Sequence, residues 1–125
     1  MNTFKKILAS FVIAALSSTA FAVTNPSYED VKAAITNTLA KVEEAKAALD
    51  NGADDDKVVE MVTDARQLQK DIANNVLDLK RNQASNVLKQ ARIAIQKNEL
   101  QAAKDALADA VNRYKEIQQI YAANH

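Results

Sequence analysis

The sequence predicts an all-α protein, an up-and-down antiparallel four-helix bundle made of two helical hairpins, preceded by a removable leader. Three observations predict it. Beyond the leader the chain holds one glycine and one proline among long stretches of Ala, Leu, Lys, Glu and Gln, all good helix formers. Its apolar residues recur at steps of three and four, the spacing of a single helical face. The two halves also resemble each other in sequence, so each reads as one hairpin. No stretch reads as a strand.

The leader is "MNTFKKILASFVIAALSSTAFA", residues 1–22: Lys5 and Lys6, an apolar run from Ile7 to Leu16, then small residues ending at Ala22. This is the layout of a secretory signal peptide cleaved after Ala22, and a membrane anchor needs about 20 apolar residues, roughly twice this run. The expected mature chain is therefore 23–125, periplasmic or secreted, with no membrane span. All three phenylalanines leave with the leader, so the core must be aliphatic, with only Tyr28, Tyr114 and Tyr121 as aromatics. Without Lys5 and Lys6 the basic residues number 14 against 16 acidic ones, a net charge of −2, which offers no field for nucleic acid. Cysteine is absent, which excludes disulfides, thiolate metal sites and acylated-cysteine anchoring.

The first helix is expected over about 28–51. "NPSYED" supplies its start, with Pro26 stiffening the approach, Ser27 as cap and Asp30 positioned to return the bond. Val31, Ile35, Thr38, Val42, Ala45 and Leu49 form its buried face, widened by Leu39. In the second helix Val58, Met61, Ala65, Leu68, Ile72 and Leu79 keep the rhythm, with Val62 and Val76 alongside. That rhythm carries the helix to about residue 80, with a tight turn in "KRNQASN"; a turn at Asn74-Asn75 is the rival. The third helix, about 84–97, offers Val87, Leu88, Ala91, Ala94 and Ile95. The fourth, about 99–122, offers Leu100, Ala103, Leu107, Ala110, Tyr114, Ile117 and Tyr121. Tyr114 and Tyr121 read as the bulky end of an alanine-rich core, their hydroxyls reaching the surface.

Setting Ala45 against Ala91 lays "AKAALDNG" over "ARIAIQKN", and "VVEMVTDARQLQKDI" over "AKDALADAVNRYKEI". The shared feature is turn chemistry: Gly52 and Asn98 are the residue types suited to a left-handed position just past a helix end. Asp54 or Asp55 then caps the second helix, and the neighbouring aspartates favour its positive end by roughly 0.3–1 kcal/mol each.

The acid-rich stretch "LDNGADDDKVVE" also raises a metal site. Asp50, Asp54, Asp55, Asp56 and Glu60 are the candidate oxygen ligands for a weakly held divalent cation. The stretch is not an EF-hand: counted from Asp50, the glycine falls third where the sixth is required, and the glutamate eleventh where the twelfth is. The matching turn in the second half, "IQKNELQ", lacks the aspartates. Asp64, Asp71 and Asp78 recur along one stripe of the expected second helix, read here as its solvated outer face.

Little else suggests chemistry. The only histidine is the terminal His125, Met61 sits on the apolar stripe, and no Glu-x-x-His pair exists for a di-iron bundle. Alanine at or beside the stripes lets helices approach closely and leaves little room for a pocket. An enzyme is therefore not expected.

The residues "VEEAKAALDNGADDD" and "LKQARIAIQKNELQAAKDALADAV" resemble the unit of the small metal-binding protein family of the bacterial periplasm: an alanine-rich helix, a Gly or Asn turn and a second alanine-rich helix. The likeness spans most of residues 28–122. It implies an exported four-helix bundle that binds divalent copper, nickel and zinc through histidines. Here the matching positions hold Lys41, Glu44, Lys46, Lys89, Gln90 and Lys104, so no ligand carries over, and carboxylates alone favour harder ions. Two functions follow as expectations: a small exported binding protein for a weakly held divalent cation, or a structural module that meets a partner protein or a second copy of itself.

Overall fold

The computed structural model describes residues 27–124; the expected leader, its cleavage point, Pro26 and His125 lie outside the described residues. Four helices make up the fold: α1 (Tyr28–Asp50), α2 (Asp55–Leu68) continued by a 3₁₀ turn (Gln69–Asp71), α3 (Asp78–Gln96) and α4 (Leu100–Ala123). Each helix packs against two others. α1 lies against α2 and α4, and α3 lies against α2 and α4, as an up-and-down four-helix bundle requires.

α1 starts as the sequence reads. The Ser27 hydroxyl accepts from the Asp30 amide at 3.1 Å, and the Asp30 carboxylate accepts from the Ser27 amide at 3.2 Å, a reciprocal capping box. Both hairpin turns share one geometry. In the first, Gly52 at φ 78° follows the helix end, its amide donating to Leu49 O and that of Ala53 to Ala48 O. In the second, Asn98 at φ 60° takes the same place, with Asn98 donating to Ile95 O and Glu99 to Ala94 O. This is the Schellman pattern twice, and it satisfies carbonyls that a helix end would otherwise leave unpaired. Asp54 occupies the cap position of α2, but its side chain makes no capping bond; only its carbonyl joins the first turn, accepting from Lys57 and Val58.

The second helix ends sooner than its apolar rhythm suggests. It stops at Leu68, tightens through the 3₁₀ turn, and α3 begins at Asp78 instead of near residue 84, so the reversal falls at the rival position around Asn74-Asn75. Local bonds explain the reversal: Asn74 Oδ1 accepts from the Val76 amide at 2.9 Å, and Leu77 donates to Asn74 O. Such side-chain bonds compete with helix continuation. Arg81 on α3 reaches back with Nη1 to Ile72 O at 3.0 Å and ties the connection shut.

The earlier ending also rotates the buried face of α2. The stripe is Val58, Val62, Ala65, Gln69 and Ile72, while Met61 packs at its margin and Val76 and Leu79 stand 73% and 68% exposed. Asp64, Asp71 and Asp78 do not share a helix face, because the chain turns between the last two. Elsewhere the expected core holds. All seven apolar-face positions named for α1 are buried, as are those named for α3, joined by Ala84; in α4 only Leu100 is exposed. Buried alanines from all four helices, Ala45, Ala65, Ala91 and Ala103 among them, bring the backbones close.

Candidate functional site

At one end of the bundle lie the Gly52 and Asn98 turns; at the other lie the start of α1, the connection at 72–77 and the end of α4. The acidic candidates are at the first end. Asp50, Asp54, Asp55, Asp56 and Glu60 are all exposed, but they do not gather. Asp50 ends α1 and pairs with Lys46 at 3.1 Å. Asp54, Asp55 and Asp56 share an open depression with Ala53 and Lys57, whose ammonium group offsets part of their charge. Glu60 lies outside that depression, one turn along α2. Among the described residues no group of three or more His, Cys, Asp or Glu side chains is placed to hold a metal ion.

The opposite end mixes exposed apolar side chains, Val76 and Leu79, with polar ones such as Asn75 and Asn124. The ring of Tyr121 stacks on Tyr28 with centroids 5.1 Å apart and planes 12° from parallel, and its hydroxyl donates to Tyr28 O at 3.2 Å. This contact joins the start of the first hairpin to the end of the second. Beside it a cleft of about 250 Å³ runs between the connection and α4, lined by Asn74, Val76, Leu77, Ile120, Tyr121 and Asn124. The cleft falls below the size that encloses a drug-sized ligand, about 300 Å³ or more. Val76 and Leu79 project from the same end.

A third feature lies inside. Gln69 and Tyr114 occupy core positions, with Tyr114 wholly buried, and Gln69 Oε1, Tyr114 Oη and Arg81 Nε are enclosed without a hydrogen-bond partner among the described residues. Burial pushes the Tyr114 phenol well above its ordinary range, and the nearby Arg66 and Arg81 guanidinium groups offset this only in part. The tyrosine hydroxyl expected at the surface is thus an interior group.

Sequence reasoning missed Gln69, Arg66 and Arg81. Gln69 continues the 58, 62, 65 progression in steps of four and three, a signal present in the chain but masked by Leu68 beside it. Arg81 fell in the stretch read as a turn. No family model matches the chain, and comparison with curated proteins and with solved structures gives no match.

Proposed function

We propose that the protein is an exported, non-catalytic interaction module of the cell envelope that docks transiently on another protein through the end of the bundle carrying Val76 and Leu79. The observation that supports this reading is their exposure, 73% and 68%, where the other large aliphatic side chains among the described residues are mostly buried. Removing such side chains from water on contact contributes about 25 cal/mol for each Å² of apolar surface. A stable dimer buries roughly 800 Å² per partner, several times what two side chains can offer, so the contact is of the transient kind. The closely packed alanine-rich core and the lack of clustered catalytic groups among the described residues favour this reading over an enzyme.

A photo-crosslinking residue placed at position 79, compared with one at position 56, tests the proposal in the cells that make the protein. A discrete adduct from position 79 alone, lost when Val76 is changed to Ser, is the expected result; equal labelling from both positions would sink it. Export is checked in the same cells, since N-terminal sequencing of the mature protein should begin at Val23.

The second reading, a weakly held divalent cation, draws support from the Asp54, Asp55 and Asp56 depression. It expects calcium or another divalent ion to raise the melting temperature with the logarithm of its excess, an effect that changing the three aspartates to Asn removes.

A further inference from the structure

The connection at 72–77 differs in kind from the two hairpin turns. Each hairpin turn is fixed by a left-handed residue, Gly52 or Asn98, whose backbone leaves the helix. The connection has no such residue, and neither glycine nor proline occurs anywhere after Gly52. Two side chains hold it instead: Asn74 Oδ1 accepts from the Val76 amide at 2.9 Å, and Arg81 Nη1 donates to Ile72 O at 3.0 Å. In an uninterrupted helix that same amide donates to that same carbonyl, four residues back. Straightening the connection therefore releases both side chains and leaves neither backbone group unpaired.

The helical phase of α2 also runs unbroken into α3. At about 100° per residue, Val58, Ala65 and Ile72 before the connection and Val87, Ala91 and Ala94 after it, all buried, fall within about 60° of one direction. Val76 and Leu79 fall in the same sector, yet both are exposed. A straight helix from Asp55 to Gln96 is about 63 Å long and presents one apolar stripe over its whole length. A single copy cannot fold around it. The two hairpins then point apart, and each must find its counterpart on a second copy.

Charge selects that counterpart. Residues 27–71 hold 11 acidic and 6 basic side chains, a net charge of −5, and residues 78–124 hold 5 acidic and 8 basic ones, a net charge of +3. The first hairpin is thus attracted to a second hairpin and repelled by another first one. Each hairpin packs more closely within itself than against the other, and the ion pairs among the described residues all lie within one hairpin. The hairpin is therefore the natural unit of exchange.

We propose that the chain forms a hairpin-exchanged dimer, in which residues 69–77 become helical, α2 and α3 join, and the first hairpin of each copy closes on the second hairpin of the other. The contacts between hairpins are those of the single chain, remade between copies, and the new interface lies at the centre. Arg66 meets Ser85 across the α2–α3 seam at 3.4 Å. That antiparallel register, carried onto two straight helices, puts Leu79 of one copy opposite Ile72 of the other, with Val76 beside the two-fold axis. The side chains left exposed in the single chain are thereby covered. The inference stands without the docking reading, and it makes the dimer a form in which the docking end is closed.

Spin labels on Lys57→Cys and Gln96→Cys, both exposed positions in a chain with no other cysteine, provide the test. Labelled protein is refolded from urea with a large excess of unlabelled protein at graded concentrations, so that each dimer holds one labelled chain. The bundle keeps the two labels on neighbouring helices, whose axes lie about 8–10 Å apart, whereas the exchanged dimer separates them by about 58 Å along one helix. Light scattering should show a dimer whose share rises with concentration, and that dimer should carry the long distance. Asn74→Ala combined with Asn75→Ala removes the turn's acceptor and favours helix, and should tighten the dimer about tenfold. Val76→Ser combined with Leu79→Ser should weaken it about tenfold and leave the melting of the single chain unchanged, because both side chains already face water there. A monomeric mass for the wild-type protein at every concentration would overturn the proposal. So would a dimer that keeps only the short distance, which is end-to-end docking of two intact bundles.

Discussion

Two residues at the turns and one in the core carry the sharpest energetic statements. Gly52 sits at φ 78°, and a Cβ added there meets nothing within 4 Å, so Gly52→Ala isolates the cost of a left-handed backbone from any clash. That cost is about 1 kcal/mol or slightly more, expected as a lower urea midpoint with an unchanged slope. Gln69 presents the opposite case. Its Oε1 is enclosed without a partner, a penalty of roughly 1–3 kcal/mol, and leucine fits the apolar stripe on which Gln69 falls. Gln69→Leu should therefore stabilise the protein by about 1 kcal/mol in chloride buffer, measured by the same unfolding curve.

At the scale of elements, the question is why the first and last helices were legible while the end of the second and the start of the third were not. α1 and α4 declare themselves through a capping box, a left-handed turn residue and an uninterrupted stripe, each set by neighbours in sequence. The α2–α3 connection is decided by competition: Ile72, Val76 and Leu79 continue a helical rhythm, while Asn74 offers the backbone a side-chain acceptor that ends it. Apolar spacing alone cannot say which wins, because Arg81 and its bond to Ile72 O come from the next helix. The candidate cation ligands were legible as an acidic turn, but their geometry was not. One contrast tests the reversal directly. Leu77 is 1% exposed and Leu79 is 68% exposed, so Leu77→Ala should cost about 2–5 kcal/mol and Leu79→Ala less than about 0.5 kcal/mol. A continuous helix to residue 80, as the spacing suggests, would make Leu79 the costly site.

At the scale of the whole molecule, two hairpins close on each other along two unlike seams. The α1–α4 seam is sealed at its end by the Tyr28–Tyr121 stack. The α2–α3 seam carries the Arg66–Ser85 contact and the bond from Arg81 to Ile72 O, and Tyr114 of α4 is wholly enclosed, so protonation of its hydroxyl is tied to closure of the bundle. The sign follows from linkage. The unfolded chain ionises Tyr114 near pH 10, whereas burial raises the phenol in the folded protein, so above pH 10 the unfolded state binds fewer protons. Stability from this group is fully present below pH 10 and falls as pH rises further, by about 1.4 kcal/mol for each unit until the folded group ionises. Lysines also lose charge in that range, so the comparison must be internal. Tyr114→Phe lacks the titrating group, and its stability relative to wild type should be greater at pH 11 than at pH 8 by about 1.4 kcal/mol. Absorbance of tyrosinate at 295 nm supplies the second readout, since Tyr114 should remain protonated through the ordinary phenol range and ionise when the bundle opens. A constant difference between the two proteins across that range would mean that the hydroxyl meets solvent without unfolding.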